Sequence, residues 1–338
     1  MGGGGKSSNN STSAPSVASL RVQTTVLGRC VPWLFGTPRV APNLIQHDDF
    51  TPIAHTERSS AGGKGGGGGD TSTTSYTYTA AIVMALCRGP ILGVGRIWIG
   101  KTQKSAQQLN LDVYGGSNVQ TPHPHWLTKH SSSALAYRNM AYAAAAAYDL
   151  GDNGEVPNHN FEVFTPTRIS STQPDANPAV IIRELISNRV DGLGIDIAKI
   201  GNLQLFSDFC MANGIWISPC YDEQTAAHEL ITRIAEIGHS AVVVSEGKLK
   251  LVPYSDTYAS GNGATFVPNN APVYDLNEDD FLHNSGQPIK ITRSSQADAN
   301  NHFQITYYDR ANEYNEATAE AQDQAHIEKF GLRTSDPE

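Results

Sequence analysis

Between Ser75 and Ile99 the chain reads SYTYTAAIVMALCRGPILGVGRIWI. Tyr76, Tyr78 and Ala80 alternate with Thr77 and Thr79, the period of a strand with two different faces. From Ala80 to Cys87 the run turns continuously apolar, as a strand buried on both faces does. Arg88-Gly89-Pro90 breaks it, because proline has no amide hydrogen to give to a ladder. GRIWI then opens another strand, with Gly100 in the next turn. No helical stripe of apolar residues occurs before about residue 175. A parallel α/β sheet, which alternates strands with helices from its start, is therefore excluded for the first half of the chain.

The flanking sequence has the same texture. From Leu20, LRVQTTVLGRCVPWLFGTPRV is rich in β-branched and aromatic residues broken by Gly and Pro, and reads as short strands with turns. RSSAGGKGGGGGDTSTT, residues 58–74, reads as a flexible loop between two β-rich stretches, with the loop itself at 59–74. Residues 1–19 are Gly, Ser, Asn and Thr and are expected to be a disordered tail, since they bury too little to offset their ordering entropy. ALAYRNMAYAAAAAYDLG, residues 134–151, pulls two ways. Alanine favours a helix, yet Tyr137, Tyr142 and Tyr148 hold no helical stripe, and DLGDNGEVP is a turn of the kind that joins strands. The run leans to a strand.

After residue 175 the period changes. In DANPAVIIRELISNR, Asn177 can cap, Pro178 suits the first turn, and Ile181, Ile182, Leu185 and Ile186 share a face. NLQLFSDFCMANG reads as a second helix closed by Gly214. DEQTAAHELITRIAEIG reads as a third, acidic at its start and closed by Gly238. AVVVSEGKLKLVP is a hairpin turning at Glu246-Gly247. Strands return after about residue 285 in PIKITRSS and NHFQITYYD, and from Asp309 onward the sequence is polar and acidic. The expected fold class is mainly β with an α+β middle. The expected division is a tail at 1–19, a β domain at 20–170, an α/β domain at 171–272 and a second β-rich domain begun at 273–338.

Composition narrows the partners. The chain has 338 residues, enough for two or three domains. Charged residues make up 17% and the formal net charge is −9, so nothing broad attracts DNA. Cys30, Cys87, Cys210 and Cys220 form no C-x-x-C pair, and are expected to be reduced and buried. The N-terminus lacks the apolar core of a signal peptide, and Lys6 stands where myristoylation needs Ser or Thr. No apolar stretch is long enough to span a membrane as a helix. The expected product stays soluble or joins an assembly.

Several segments imitate catalytic motifs. GRIWIGKT satisfies G-x-x-x-x-G-K-[ST] through Gly95, Gly100, Lys101 and Thr102. A phosphate loop must bend so that backbone N–H groups face the phosphates, and a helix must follow. Ile97, Trp98 and Ile99 instead favour an extended strand, and TQKSAQQLNL is a poor helix. A strand running into a tight turn is expected. The run Gly62–Gly69 lacks the strand and helix of a phosphate loop. His123, His125 and His130 in TPHPHWLTKH offer only a local H-x-H, short of a closed zinc shell, and read as a polar loop. DLGDNG, Asp149–Gly154, begins like a calcium loop, but Asn160 stands where the bidentate Glu belongs, so a turn is expected. Asp275, Glu278, Asp279 and Asp280 read as a solvated face or a helix start. No G-x-S-x-G elbow is present. The expectation is no catalytic, cofactor-binding or metal residue. The alternative is a tail-tip enzyme, either an ATPase through Gly95–Thr102 or a peptidoglycan hydrolase.

Four phrases in order resemble the baseplate hub and tip attachment (host-specificity) proteins of tailed phages, prophages and gene transfer agents: PWLFGTPRVAPNLI, SYTYTAAIVMALCRGPILGVGRIWIGKT, ALAYRNMAYAAAAAYDLGDNGEVPNHNFEV and DANPAVIIRELISNRVDGLGI. The likeness covers about residues 30–335. Arg88 replaces a usual Glu and Ala41 a usual Gly, and the chain ends sooner than these proteins do. The resemblance implies a tail-tube-like β-barrel, a small α/β domain and the start of a second β-barrel. It implies a strand for the Ala-rich run, and a structural, non-enzymatic part of the virion tail tip, assembled in the host bacterial cytoplasm. It also implies a homotrimer ring whose neighbours are the distal tail protein, the tape-measure protein, the tail tube and a fibre or spike. DNA would be passing cargo only.

Overall fold

In a computed structural model, residues 10–11, 28–60, 70–272, 274–281, 292–293 and 295–335 are described. The expected tail at 1–19, the strand reading at 20–27, the centre of the Gly-rich loop and most of PIKITRSS lie almost wholly outside them. Two compact units divide the chain, Met1–Asn269 and Asn270–Glu338.

The first half of the larger unit is built from strands: β1 (Asn10–Ser11), β2 (Trp33–Leu34), β3 (Arg39–Val40), β4 (Asn43–Ser60), β5 (Asp70–Arg88), β6 (Gly93–Ile99), β7 (Thr102–Lys104) and β8 (Asp112–Tyr114). A short helix, α1 (Pro124–Lys129), precedes β9 (Met140–Gly151) and β10 (His159–Phe164). One sheet runs β1-β5-β9-β8 with β4 also on β5, and the other runs β3-β10-β6-β7. The chain changes sheet at Gly89-Pro90, where the ladder donor is missing.

Alternation along β5 sends Ala80, Ile82, Met84 and Leu86 into the main core, where Ile97, Phe161 and Val163 of the other sheet meet them. Ala81 and Val83 face the opposite way, into a smaller cluster with Trp126 of α1. The Ala-rich run obeys the same rule. Ala141, Ala143 and Ala145 enter the main core, while Tyr142 and Ala144 join Trp126. A segment covered on both faces needs small side chains, and the cross-strand pairs Val83↔Ala144 and Met84↔Ala143 outweigh alanine's helix propensity.

Beyond β10 come α2 (Pro178–Ser187), α3 (Gln204–Asn213), β11 (Cys220–Tyr221), α4 (Ala227–Ile237), β12 (Ser240–Ser245), β13 (Lys248–Pro253), β14 (Ala259–Gly261) and β15 (Ala264–Phe266). Ile181, Ile182, Phe206, Ile234 and Phe266 form their shared core. Asn177 caps α2: its Oδ1 accepts from the Ala179 N–H at 2.9 Å, and its Nδ2 donates to Ser207 Oγ at 3.0 Å. Gly214, at φ 70°, closes α3 as expected. Glu246 (φ 54°) and Gly247 (φ 71°) make the expected β12–β13 turn. β2 pairs with β11, and Leu34 enters the first core while Phe35 enters the second.

In the smaller unit, β16 (His302–Asp309) and β17 (Asn315–Gln322) form one hairpin, followed by α5 (Gln324–Phe330).

The mainly β class with helices in the middle is borne out. Four details are corrected. The strands between residues 39 and 164 form two open sheets, with no closed barrel among the described residues. A helix already occurs at Pro124–Lys129, in the stretch read as a polar loop. α4 begins at Ala227, not at the acidic residues 222–223, and Gly238 ends it at φ −79°, leaving the left-handed position to His239. The acidic end holds β17 and α5, an element pair that its polar composition hid.

Candidate functional site

The GRIWIGKT segment lies in β6 and its turn. Trp98 faces Asn160 and Ile97 faces Phe161, while Ile97, Trp98 and Ile99 pair with β7 on the other edge. The backbone N–H groups a phosphate would need belong to these ladders. Gly100 turns at φ 59°, Lys101 and Thr102 are exposed, and β7 follows where a helix would be required. Gly95 has a packing reason: a Cβ there would collide with the Glu162 carboxylate and the Phe164 ring.

Glu162, 6% exposed, is held by Arg96. Arg96 Nη2 donates to Oε1 at 2.7 Å and Nε to Oε2 at 3.1 Å, and the Arg96 backbone N–H reaches Oε2 at 3.2 Å. The guanidiniums of Arg39 and Arg96 both approach the Trp98 ring, 4.5 and 5.0 Å from its centroid. These contacts fix a structural strand.

His159 and Tyr148 form a second buried pair, with Nε2 and the phenol oxygen 2.7 Å apart. The Pro157 backbone favours the charged ring, but burial outweighs it. Burial pushes the imidazole down from 6.5 to about 4, and pushes the Tyr148 hydroxyl up.

The three histidines of TPHPHWLTKH come together with residues far away in sequence. His123, 4% exposed, caps α1: its Nδ1 accepts from the His125 N–H at 3.2 Å, leaving Nε2 to face Asp112 Oδ2 at 3.1 Å. Trp126 is buried, between the rings of His125 (5.6 Å) and His130 (5.4 Å). His125 Nε2 lies 3.0 Å from Asp49 Oδ2, and His130 Nε2 lies 2.7 Å from Asp48 Oδ2. Both nitrogens are buried, and neither makes a hydrogen bond of acceptable angle. Ligating atoms of Asp48, Asp49 and His130 lie within 4.8 Å of one another. The aspartates escaped the sequence reading because β4 lies some 75 residues before α1. The bulge that presents them, with Asp49 at φ 51°, leaves no sequence signature.

The other imitations resolve as turns. Asp149 Oδ1 accepts from the Gly151 N–H at 2.9 Å, and Gly151 and Gly154 take φ 65° and 63°. Asp280 Oδ2 accepts from the Asn277 N–H at 2.8 Å and Asn277 Oδ1 from the Asp279 N–H at 2.9 Å, capping a single turn of 3-10 helix at Glu278–Asp280. Gly62–Gly69 lies outside the described residues. Cys87 and Cys210 are buried and their thiols are pushed up to about 12. Cys220 is half-buried, while Cys30 is exposed, which corrects the expectation for that residue. No described helix is long and apolar enough to cross a membrane.

Residues 226–336 match the family model of a putative phage tail protein. The phage tail family read from the sequence phrases is borne out at that level. Among solved structures, a chain from the virion of a native gene transfer agent particle shares the fold. The TM-score is 0.53 at 20% identity, covering 97% of this chain and 72% of that one. No curated protein matches the sequence.

Proposed function

We propose that the chain is a structural baseplate hub at the distal tip of a phage or phage-like tail, where it closes the tail tube and joins it to a fibre or spike. The observation that carries this reading is the likeness over 97% of the chain to a protein of a gene transfer agent virion. The tail-family match in residues 226–336 supports it independently. On this reading the protein is not an enzyme. Its partners are further copies of itself in a threefold ring, the distal tail protein, the tape-measure protein, the tail tube and the fibre or spike. DNA passes through without being held, which suits a net charge of −9. Localisation is the virion tail tip, after assembly in the host bacterial cytoplasm.

The test is removal of the chain from a producing cell. Particles are expected to lack a finished tail tip and to deliver no DNA, with both defects repaired by supplying the chain. Intact tails and normal delivery without it would overturn the proposal.

A further inference from the structure

The geometry points to a site for a divalent first-row transition ion of the zinc class, formed by Asp48, Asp49 and His130, with His125 positioning Asp49. In a regular strand, consecutive side chains point to opposite faces. Between Asp48 and Thr51 the β4–β5 register shifts, and Asp49 takes φ 51°. This bulge turns both carboxylates toward the histidines of α1 and its end. The Asp48 Oδ1 atom is engaged, accepting the Asp49 N–H at 2.7 Å. Its Oδ2 atom remains for the site and lies 2.7 Å from His130 Nε2.

The spacing suits an ion. Ligands at zinc distances stand about 3.4 Å apart around a tetrahedral centre. The three ligating atoms lie within 4.8 Å of one another, with His130 Nε2 and Asp48 Oδ2 2.7 Å apart. Small side-chain rotations bring them to that separation. Direct His–Asp pairing accounts less well for the geometry, because neither His125 Nε2 nor His130 Nε2 has a carboxylate oxygen in line for a hydrogen bond although both atoms are buried. An ion between the groups satisfies the imidazole lone pair and both carboxylates. One nitrogen and two oxygens select a borderline transition ion over magnesium or calcium, which take oxygen ligands. His125 Nε2, 3.0 Å from Asp49 Oδ2 with no hydrogen bond in line, packs against that carboxylate and limits its rotation. The Asp48, Asp49 and His130 side chains are between 33% and 44% exposed, so solvent ions reach them and water completes the shell. Bound there, the ion staples α1 to β4 across the outer face of the five-stranded sheet.

The test uses the full chain, cleared with chelator and titrated calorimetrically with zinc chloride, with bound metal counted by elemental analysis after desalting. One zinc per chain is expected, with a rise in Tm. His130→Ala and Asp48→Asn should each weaken binding at least 100-fold and abolish the Tm rise, and His125→Ala should weaken it 10- to 100-fold. Circular dichroism of each variant establishes that it is folded, and Asp48→Asn provides a variant of nearly unchanged shape. No zinc binding, equal binding by His130→Ala and Asp48→Asn, or equally tight binding of magnesium or calcium would overturn the site.

Discussion

Acidification should destabilise the larger unit through one residue, His159. The imidazole is 3% exposed, and its Nε2 lies in hydrogen-bond contact with the Tyr148 hydroxyl. Protonation would place a charge in the core. Burial holds the folded group at about 4 against 6.5 when free. Below pH 6.5 the unfolded chain takes up a proton that the folded chain refuses, so stability falls as pH drops toward 4 and is fully retained above 6.5. A difference of that size corresponds to about 3 kcal/mol, at 1.36 kcal/mol per unit. His159→Gln keeps a hydrogen-bonding side chain but cannot titrate. Urea unfolding at steps between pH 7 and 4 should show wild type losing about 3 kcal/mol more than the variant over this window. Parallel pH curves for the two proteins, or an NMR titration placing the His159 midpoint near 6.5, would refute the reasoning.

Other substitutions test the packing and the disputed motif. Trp126→Ala should cost about 3 kcal/mol in urea unfolding, because it empties the smaller cluster beneath α1; a loss below about 0.5 kcal/mol would show that α1 is not docked on the sheet. Arg96→Ala leaves the buried Glu162 carboxylate without its guanidinium and should cost about 1–3 kcal/mol by the same assay. Lys101→Ala, at an exposed turn, should stay within about 0.5 kcal/mol of wild type. It should leave nucleotide binding, measured calorimetrically with ATP and magnesium, undetectable in both proteins; ATP binding that the substitution removes would revive the phosphate-loop reading.

Local chemistry was legible in the sequence wherever one segment settles its own structure. Asn177-Pro178 starts a helix, Gly214 ends one, and Glu246-Gly247 turns a hairpin, all through short-range sterics and hydrogen bonds. The Ala141–Ala147 strand was legible only against its own propensity, through the missing stripe of tyrosines, because its cause is burial on two faces by distant partners. Closure of the β domain depends on which strand edges meet, and Gly89-Pro90 marks the exchange between sheets without saying whether the edges join. α1 was hidden because two prolines and three histidines crowd residues 122–130, while the buried Trp126 that stabilises it needs a sheet to sit on. The Asp48–Asp49–His130 group was illegible for the same reason: two of its three residues lie on β4, turned by a bulge that any polar pair could occupy.

The measurement that bears most directly on the central claim is a cryo-electron microscopy reconstruction of purified particles containing the full-length protein. The account predicts density for this fold at the distal end of the tail, three copies around the axis, touching the tube above and a fibre or spike below. Density for the chain elsewhere in the particle, or a true sixfold ring, would contradict it.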